Sequence, residues 1–321
     1  MRATRVEIDW HPGLSIYASE SFLKAVGDEY GWIGGTDDSG KLRCVLPYTV
    51  IRKAMFRMVR FRVETIPLGD DIGVEEERSF LNSVVEYFRS TGADMIIPAT
   101  TNTIFRTYPN GAFVAPYGTY IIDLNKPEEA LFSTLNTSHR RKVRLAMKQG
   151  VQILSGLEYV DTAYKLVRDT FKRSNHGFMG HEAFTHFVRS LGDKIKILVA
   201  DYQGAVQGCV VVPFSNYSAY YVYGGSIPEP ATGAMNLLHW EAIRQFRILG
   251  VQRYDFVGVR INPEKGTKQE GLKMFKERFG GELIQGYMWK YPLNPIKFAI
   301  YSLVVRFLRG GDIVDLERHK L

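Results

Sequence analysis

The sequence predicts an α/β protein made of two tandem units, each a mixed, mostly antiparallel sheet flanked by helices. Two echoes along the chain carry that prediction. The first is a hairpin. Gly31-Trp32-Ile33 leads through Asp37-Asp38-Ser39-Gly40 into Leu42-Arg43-Cys44-Val45-Leu46-Pro47. Further on, Ile195 to Ala200 leads through Asp201-Tyr202-Gln203-Gly204 into Ala205 to Pro213, again with a cysteine-led β-branched run closed by proline. Apolar runs on both sides of a glycine-containing turn read as paired strands. The second echo is a helix that delivers a strand. Phe80 to Gly92 has apolar residues at 80, 81, 84, 85 and 88, stops at Gly92 and enters the strand Ala93-Asp94-Met95-Ile96-Ile97. Leu237 to Gly250 repeats the layout and enters Arg253-Tyr254-Asp255-Phe256-Val257. The copies lie roughly 160 residues apart in the same order, the mark of a pseudo-repeat. Units at 1–118 and 119–291 follow, with a boundary near Pro116–Pro127, and 292–321 form a basic, amphipathic helical tail. The second unit has the longer and chemically richer loops, so the active site is expected there.

Composition narrows the function classes. The chain of 321 residues is 45% hydrophobic and 13% aromatic, enough for real cores. Forty-one Lys and Arg stand against 34 Asp and Glu, a formal charge of +7. That excess favours anionic ligands without establishing nucleic-acid binding. Cys44 and Cys209 cannot build a disulfide framework or a four-thiolate zinc site, and fit a reducing compartment. The opening MRATRVEIDWHPG has no apolar signal region, and no apolar run is long enough to span a bilayer, so a cytoplasmic location is expected. A Walker loop, G-x-G-x-x-G and G-x-S-x-G are all missing. His181 and His186 are five residues apart, about 140° around a helix, so no metal site is expected.

Three segments of the second unit hold candidate chemistry. Asn136 to Gly150 reads as a helix capped by Thr137 or Ser138 and stopped by Gly150. Arg140, Arg144 and Lys148 recur every four residues on one face, while Val143 and Met147 lie on another, available for packing. Such a face is either solvated or a phosphate cradle. Arg140 and Arg141 stand in the first turn, against the helix dipole, which points to the cradle. Next, the strand Tyr220-Tyr221-Val222-Tyr223-Gly224-Gly225-Ser226 runs into a small-residue loop ending Ala231-Thr232-Gly233-Ala234-Met235-Asn236. Free N–H groups where this loop enters the following helix, around Gly233 and Asn236, make a second phosphate candidate. Last, Leu272, Phe275 and Phe279 mark a short amphipathic helix with its aromatics toward the core, which sets Lys276 at the edge of its apolar stripe. That lysine either snorkels to solvent or stabilises negative charge developing on a carbonyl oxygen.

HRRKVRLAMKQGV, YVYGGS, the WEAI helix with YDFVGV, and KGTKQEGLKMFKERFGG together resemble the FemAB-like branch of the GNAT acyltransferases, which includes the aminoacyltransferases of peptidoglycan interpeptide bridges. The resemblance covers residues ~120–290, and the internal echo extends it to the first half as a second GNAT-like unit. It implies transfer of an activated aminoacyl or acyl group onto an amine of a cell-envelope precursor. Lys276 stands where the family stabilises the tetrahedral oxyanion, and Asp255 is the candidate base for the amine. The loop 231–236 occupies the place of the acetyl-CoA pyrophosphate loop. No tightly bound cofactor is implied; the co-substrate is aminoacyl-tRNA or acyl-CoA, held by Arg140, Arg144, Lys148, Gly233 and Asn236. The acceptor is an anionic small molecule or lipid-linked precursor, met by Lys24, Tyr223, Tyr254 and Arg260. Rival readings are an acyl-CoA-dependent N-acyltransferase of an aminosugar or other small amine, and a GNAT-like module that binds without turnover.

The tail from Asn294-Pro295 contains IKFAIYSLVVRFL, dense in apolar residues and about 20 Å long as a helix, too short to cross a bilayer. Ser302, Arg306 and Arg309 share one face. Such a helix either docks on the body or lies in a membrane interface, a peripheral contact through residues 295–309 at the inner face of the membrane.

Overall fold

The computed structural model describes residues 1–320. Both expected hairpins form, each for a local reason. Arg2–Val6 (β1), Glu29–Thr36 (β2) and Leu42–Lys53 (β3) make an antiparallel meander, with Cys44 opposite Gly35. Asp37 Oδ1 accepts the N–H groups of Ser39 and Lys41 and so fixes the β2–β3 turn. Helix α1 (Glu20–Val26) lies between β1 and β2 in the chain, with Ser19 as its cap. Phe56–Phe61 (β4) extends the meander and Ile66–Pro67 (β5) pairs with β3. The long amphipathic helix α2 (Val74–Ser90) then crosses over to Met95–Ile96 (β6), parallel to β4.

After Phe113–Asp123 (β7), two short helices, α3 (Glu128–Thr134) and α4 (Thr137–Lys148), precede the second copy. Asn136, rather than Thr137 or Ser138, caps α4: its side chain accepts the Ser138 N–H. Gln152–Ser155 (β8) is followed by α5 (Val160–Lys172), α6 (His181–Leu191) and the hairpin Ile195–Tyr202 (β9) with Ala205–Pro213 (β10). The two-residue turn has Gln203 at φ 55° and Gly204 at φ 80°, the left-handed pair that suits a tight hairpin. Next come Ala219–Tyr220 (β11), Tyr223–Ser226 (β12), α7 (Ala234–Ile248), Arg253–Asp255 (β13) and α8 (Lys268–Glu277). Glu282–Pro292 (β14), α9 (Pro295–Arg309) and α10 (Ile313–Glu317) close the chain. The crossover repeats as well: α7 links β11 to β13, which are parallel, as α2 links β4 to β6.

The sheets do not respect the boundary drawn at residue 118. That position lies inside β7, and β14 inserts between the halves, antiparallel to β6 on one side and to β7 on the other. One sheet therefore runs β1-β2-β3-β4-β6-β14-β7-β13-β11, beside a second of order β12-β10-β9-β8. Cores follow the same plan. Phe80, Val84 and Phe88 of α2 pack with Trp289 of β14, while Leu238, Ile243 and Phe246 of α7 pack with Tyr254, Phe256 and Phe279. A third cluster joins the units, where the Tyr17 and Tyr220 rings meet edge to face at 4.7 Å.

Candidate active site

The chain between β11 and β12 is where the two sheets part. Tyr221 N–H donates to Asp255 O at 2.8 Å, in the large sheet, and the next residue, Val222, donates to Val211 O at 3.2 Å, in the small one. The glycines of YVYGGS serve this divergence. A Cβ on Gly225 would lie 2.4 Å from the backbone of Leu166, so only glycine lets β12 close against α5.

Opposite the parting, β13 ends in a strained loop. Val257, a β-branched residue, has φ 42°, a conformation that costs about 1–3 kcal/mol. Several bonds impose it. Asp255 Oδ1 accepts the Val257 N–H at 2.7 Å and the Thr119 hydroxyl. Gly258 N–H donates to Thr101 O at 2.9 Å, and Val259 N–H to Gly118 O at 2.7 Å. From the other side, Lys276 Nζ donates to Val257 O and, at 2.8 Å, to Gly258 O. Two of the three ammonium hydrogens are thus spent on the loop, which leaves one for a ligand. Lys276 is 9% exposed, and burial pushes its pKa down to about 8, with Asp255 opposing the shift.

Helix α8 delivers Lys276 because Phe279, three residues on, is fully buried against Phe256 and His239. Two histidines back this wall. Burial, reinforced by Lys276, pushes His239 down to about 3. His139 of α4, whose ring nitrogens are both buried without a partner, is pushed down to about 4 by burial and by Lys142. Both are neutral, so Lys276 is the ammonium of this cluster.

Alternation along β13 turns Tyr254 into the helix-covered core and Arg253 and Asp255 to the opposite face. There a cavity of about 390 Å³ opens between the halves, lined among others by Glu64, Asn102, Thr119, Arg253 and Asp255. Burial raises the pKa of Asp255, with the Thr119 and Val257 bonds opposing. Asp255 Oδ2 makes no hydrogen bond among the described residues. Glu64, from the first unit, has its pKa raised by burial, with Arg253 opposing. The Arg253 guanidinium stacks on Tyr217 at 3.8 Å and leaves its buried Nε without a partner. Neither Glu64 nor Arg253 was a sequence candidate: no local pattern marks them, and only the assembly of both units brings them together.

The other expected site residues scatter. Arg140 is held by the carbonyls of Ser133 and Leu135 and fastens the α3–α4 turn. Arg144 lies over the Phe132 ring at 5.2 Å, and Lys148 is exposed, so the three do not form one phosphate face. Met147, expected to be available for packing, is 55% exposed. Gly233 caps α7 at φ 84°, and a Cβ there would lie 2.2 Å from Lys142 O. The start of α7 is therefore covered by the backbone of α4 rather than open to an anion. Asn236 is buried behind it, with Nδ2 unpartnered. On the acceptor side, Tyr254 is wholly buried with its hydroxyl 3.5 Å from His239 Nδ1, and cannot meet a ligand. Lys24 pairs with Glu20 at 2.9 Å on the surface of α1. Arg260 is tied to Glu317 of α10 at 2.9 Å. Tyr223 packs among Phe178, Phe184 and Phe187 at the junction of the units, its hydroxyl pushed up to about 12 by burial.

The family model of the acetyltransferase (GNAT) domain matches residues 134–271. This stretch is similar to a GNAT domain. Around it, the whole chain takes a tandem GNAT fold. Its fold is similar to that of FemX, with TM-score 0.68 and 15% identity over 94% of this chain and 99% of that one. It is also similar to the C-terminal domain of a putative lysylphosphatidylglycerol synthetase from Agrobacterium fabrum, with TM-score 0.52 and 13% identity over 90% of this chain and 95% of that one. L-PGS from Bacillus licheniformis aligns at TM-score 0.52 and 11% identity, over 87% and 90% of the two chains. No curated protein matches the sequence significantly. At these identities the structures speak for the fold. The parting of the sheets at Tyr221–Val222 and the loop Asp255–Gly258 both lie inside the matched stretch, and Lys276 lies just beyond its end.

Proposed function

We propose that the protein is an acyltransferase that moves an activated aminoacyl group onto an amine of a cell-envelope precursor. One observation carries this reading: beside the loop Asp255–Gly258 a buried ammonium, Lys276 Nζ, and a buried carboxyl, Asp255, with only one oxygen hydrogen-bonded, lie near enough to act on each other's ionisation. An amine nucleophile needs a proton acceptor, and the developing tetrahedral intermediate needs a cation. Asp255 Oδ2 and Lys276 Nζ have those chemistries. The amine nitrogen attacks the carbonyl carbon of the donor, the C–N bond forms, and the oxyanion is held by Lys276. Collapse breaks the bond to the leaving oxygen, which takes the proton that Asp255 removed. No protein nucleophile is required, because positioning supplies much of the acceleration. Glu64 lends the cavity a second negative group for the incoming ammonium, and Arg253 a site for an anionic group of the same acceptor.

The covered start of α7 favours an aminoacyl ester such as aminoacyl-tRNA over acyl-CoA, whose pyrophosphate would contend with Lys142 O. FemX and the lysylphosphatidylglycerol synthetases lend the fold-level precedent. A lipid-linked acceptor suits a peripheral membrane contact through residues 295–309. The test is a mass-spectrometric transfer assay with aminoacyl-tRNA and acyl-CoA pools, each offered with envelope precursors. The expected result is an aminoacyl mass gain on the precursor that RNase abolishes. A gain only with acyl-CoA replaces the donor, and no gain with any donor while precursor still binds replaces the enzyme with a binding module.

A further inference from the structure

Helix α9 is fastened to the body at one side only. Phe298 stacks on Phe113 at 5.6 Å, Tyr301 meets Phe56, and Lys297 pairs with Asp94 at 2.9 Å. The opposite side is apolar and open. Ile296, Ile300, Leu303, Val304 and Phe307 fall within an arc of about 100°, and Ile296, Leu303 and Phe307 are 75%, 69% and 90% exposed. The tip of the β3–β4 hairpin extends this patch: Met55 is exposed beside it, its carbonyl accepting from Lys297 Nζ at 3.1 Å. Folding alone gives no reason to leave such residues in water.

The surroundings of the patch are cationic. No Asp or Glu occurs from Leu293 to Gly311. Arg306, Arg309 and Arg318 make no ion pair among the described residues. Beneath the helix, a groove of about 620 Å³ is lined by Ser302, Arg306, Arg318, Lys290 and Asp315, with Phe113 and Phe298 as its apolar floor. Lys290 lies between Asp312 and Asp315, at 2.7 Å each, which leaves one carboxylate charge in excess against the two guanidiniums of Arg306 and Arg318, neither of which forms an ion pair among the described residues. Arg318 rests over the Phe113 ring, which holds it at the rim. With no helix among the described residues long and apolar enough to cross a bilayer, α9 can lie in an interface but not span one.

We propose that α9 and the β3–β4 tip form a docking face for an anionic lipid bilayer. Phe307, Leu303 and Ile300 enter the acyl boundary, while Arg306 and Arg318 take a headgroup phosphate at the mouth of the groove. This deepens the lipid-linked-acceptor reading, but its test is read without turnover, so either can fail alone. The full chain is sedimented with sucrose-loaded vesicles of phosphatidylglycerol and phosphatidylcholine mixed, or of phosphatidylcholine alone. The expected result is binding at least about tenfold tighter to the anionic vesicles. Leu303→Glu with Phe307→Glu abolishes binding to both, at unchanged melting temperature because both side chains already face solvent. Arg306→Gln with Arg318→Gln removes the preference for phosphatidylglycerol. Failure of the full chain to sediment with either vesicle overturns the proposal. So does equal binding by Leu303→Glu with Phe307→Glu, or a stable dimer in light scattering that this variant splits.

Discussion

Lys276 is a single side chain asked to do two things, and its ionisation separates them. A lysine whose pKa falls to about 8 on folding binds its proton less tightly in the folded protein than in the unfolded chain. Holding the charge in place at neutral pH therefore costs stability, despite the two carbonyl bonds. Lys276→Met is accordingly expected to lower kcat by about 10²–10³ while melting no lower than the parent, as calorimetry and transfer rates would show. The same ionisation sets a pH limb. Activity is present while the ammonium is charged and falls as pH rises through about 8; Lys276→Arg, which stays charged, moves that limb upward. On the acid side, Asp255 and Glu64 both hold protons more tightly than ordinary carboxyls, so the rate falls as pH drops toward their raised values. A rate that is flat with pH on both sides rejects the assignment.

The elements show what was legible in the sequence and what was not. Hairpins, crossover helices and the Phe275–Phe279 stripe announce themselves by short-range periodicity, and all of them form. The basic face of α4 misled because spacing shows which residues share a side, not what they meet there. Arg140 meets carbonyls, and Arg144 meets a ring. Gly233 misled in the same way. Its helix start is real, but α4 already sits on it. Glu64 and Arg253 carry no motif at all, since their juxtaposition depends on strands from different halves. The packing of α4 on α7 gives a direct check. Gly233→Ala places a methyl against Lys142 O at a positive φ, and should cost at least about 2 kcal/mol in denaturant unfolding. An Ala variant as stable as the parent would show that α4 moves aside readily, and would reopen that helix start to a phosphate.

Across the whole molecule, the repeat suggests two independent folding units, and the sheet says otherwise. Trp289 lies on β14, near the C-terminal end, yet its ring is buried in the core of the first unit against Phe61 and Phe105. Its strand also completes the sheet that carries β13 and Asp255. Trp289→Ala should therefore cost about 3–5 kcal/mol and raise hydrogen exchange together in β2–β3 and β9–β10. Opening confined to β2–β3 would mean that the halves unfold separately. This coupling has a purpose in the proposed chemistry, because the cavity takes Glu64 from one half and Asp255 from the other.

The insertion of β14 also imposes an order of events on the ribosome. The first half leaves the exit tunnel early, with β1 to β4 and β6 ready to pair, but the neighbour that β6 requires is encoded almost two hundred residues later. Until synthesis reaches Pro292, the nascent chain displays an unpaired strand edge, the kind of surface that recruits other chains or chaperones. The part of the protein made first is thus among the last to be sealed, and a truncated product lacking β14 would lose the closing strand of both halves at once.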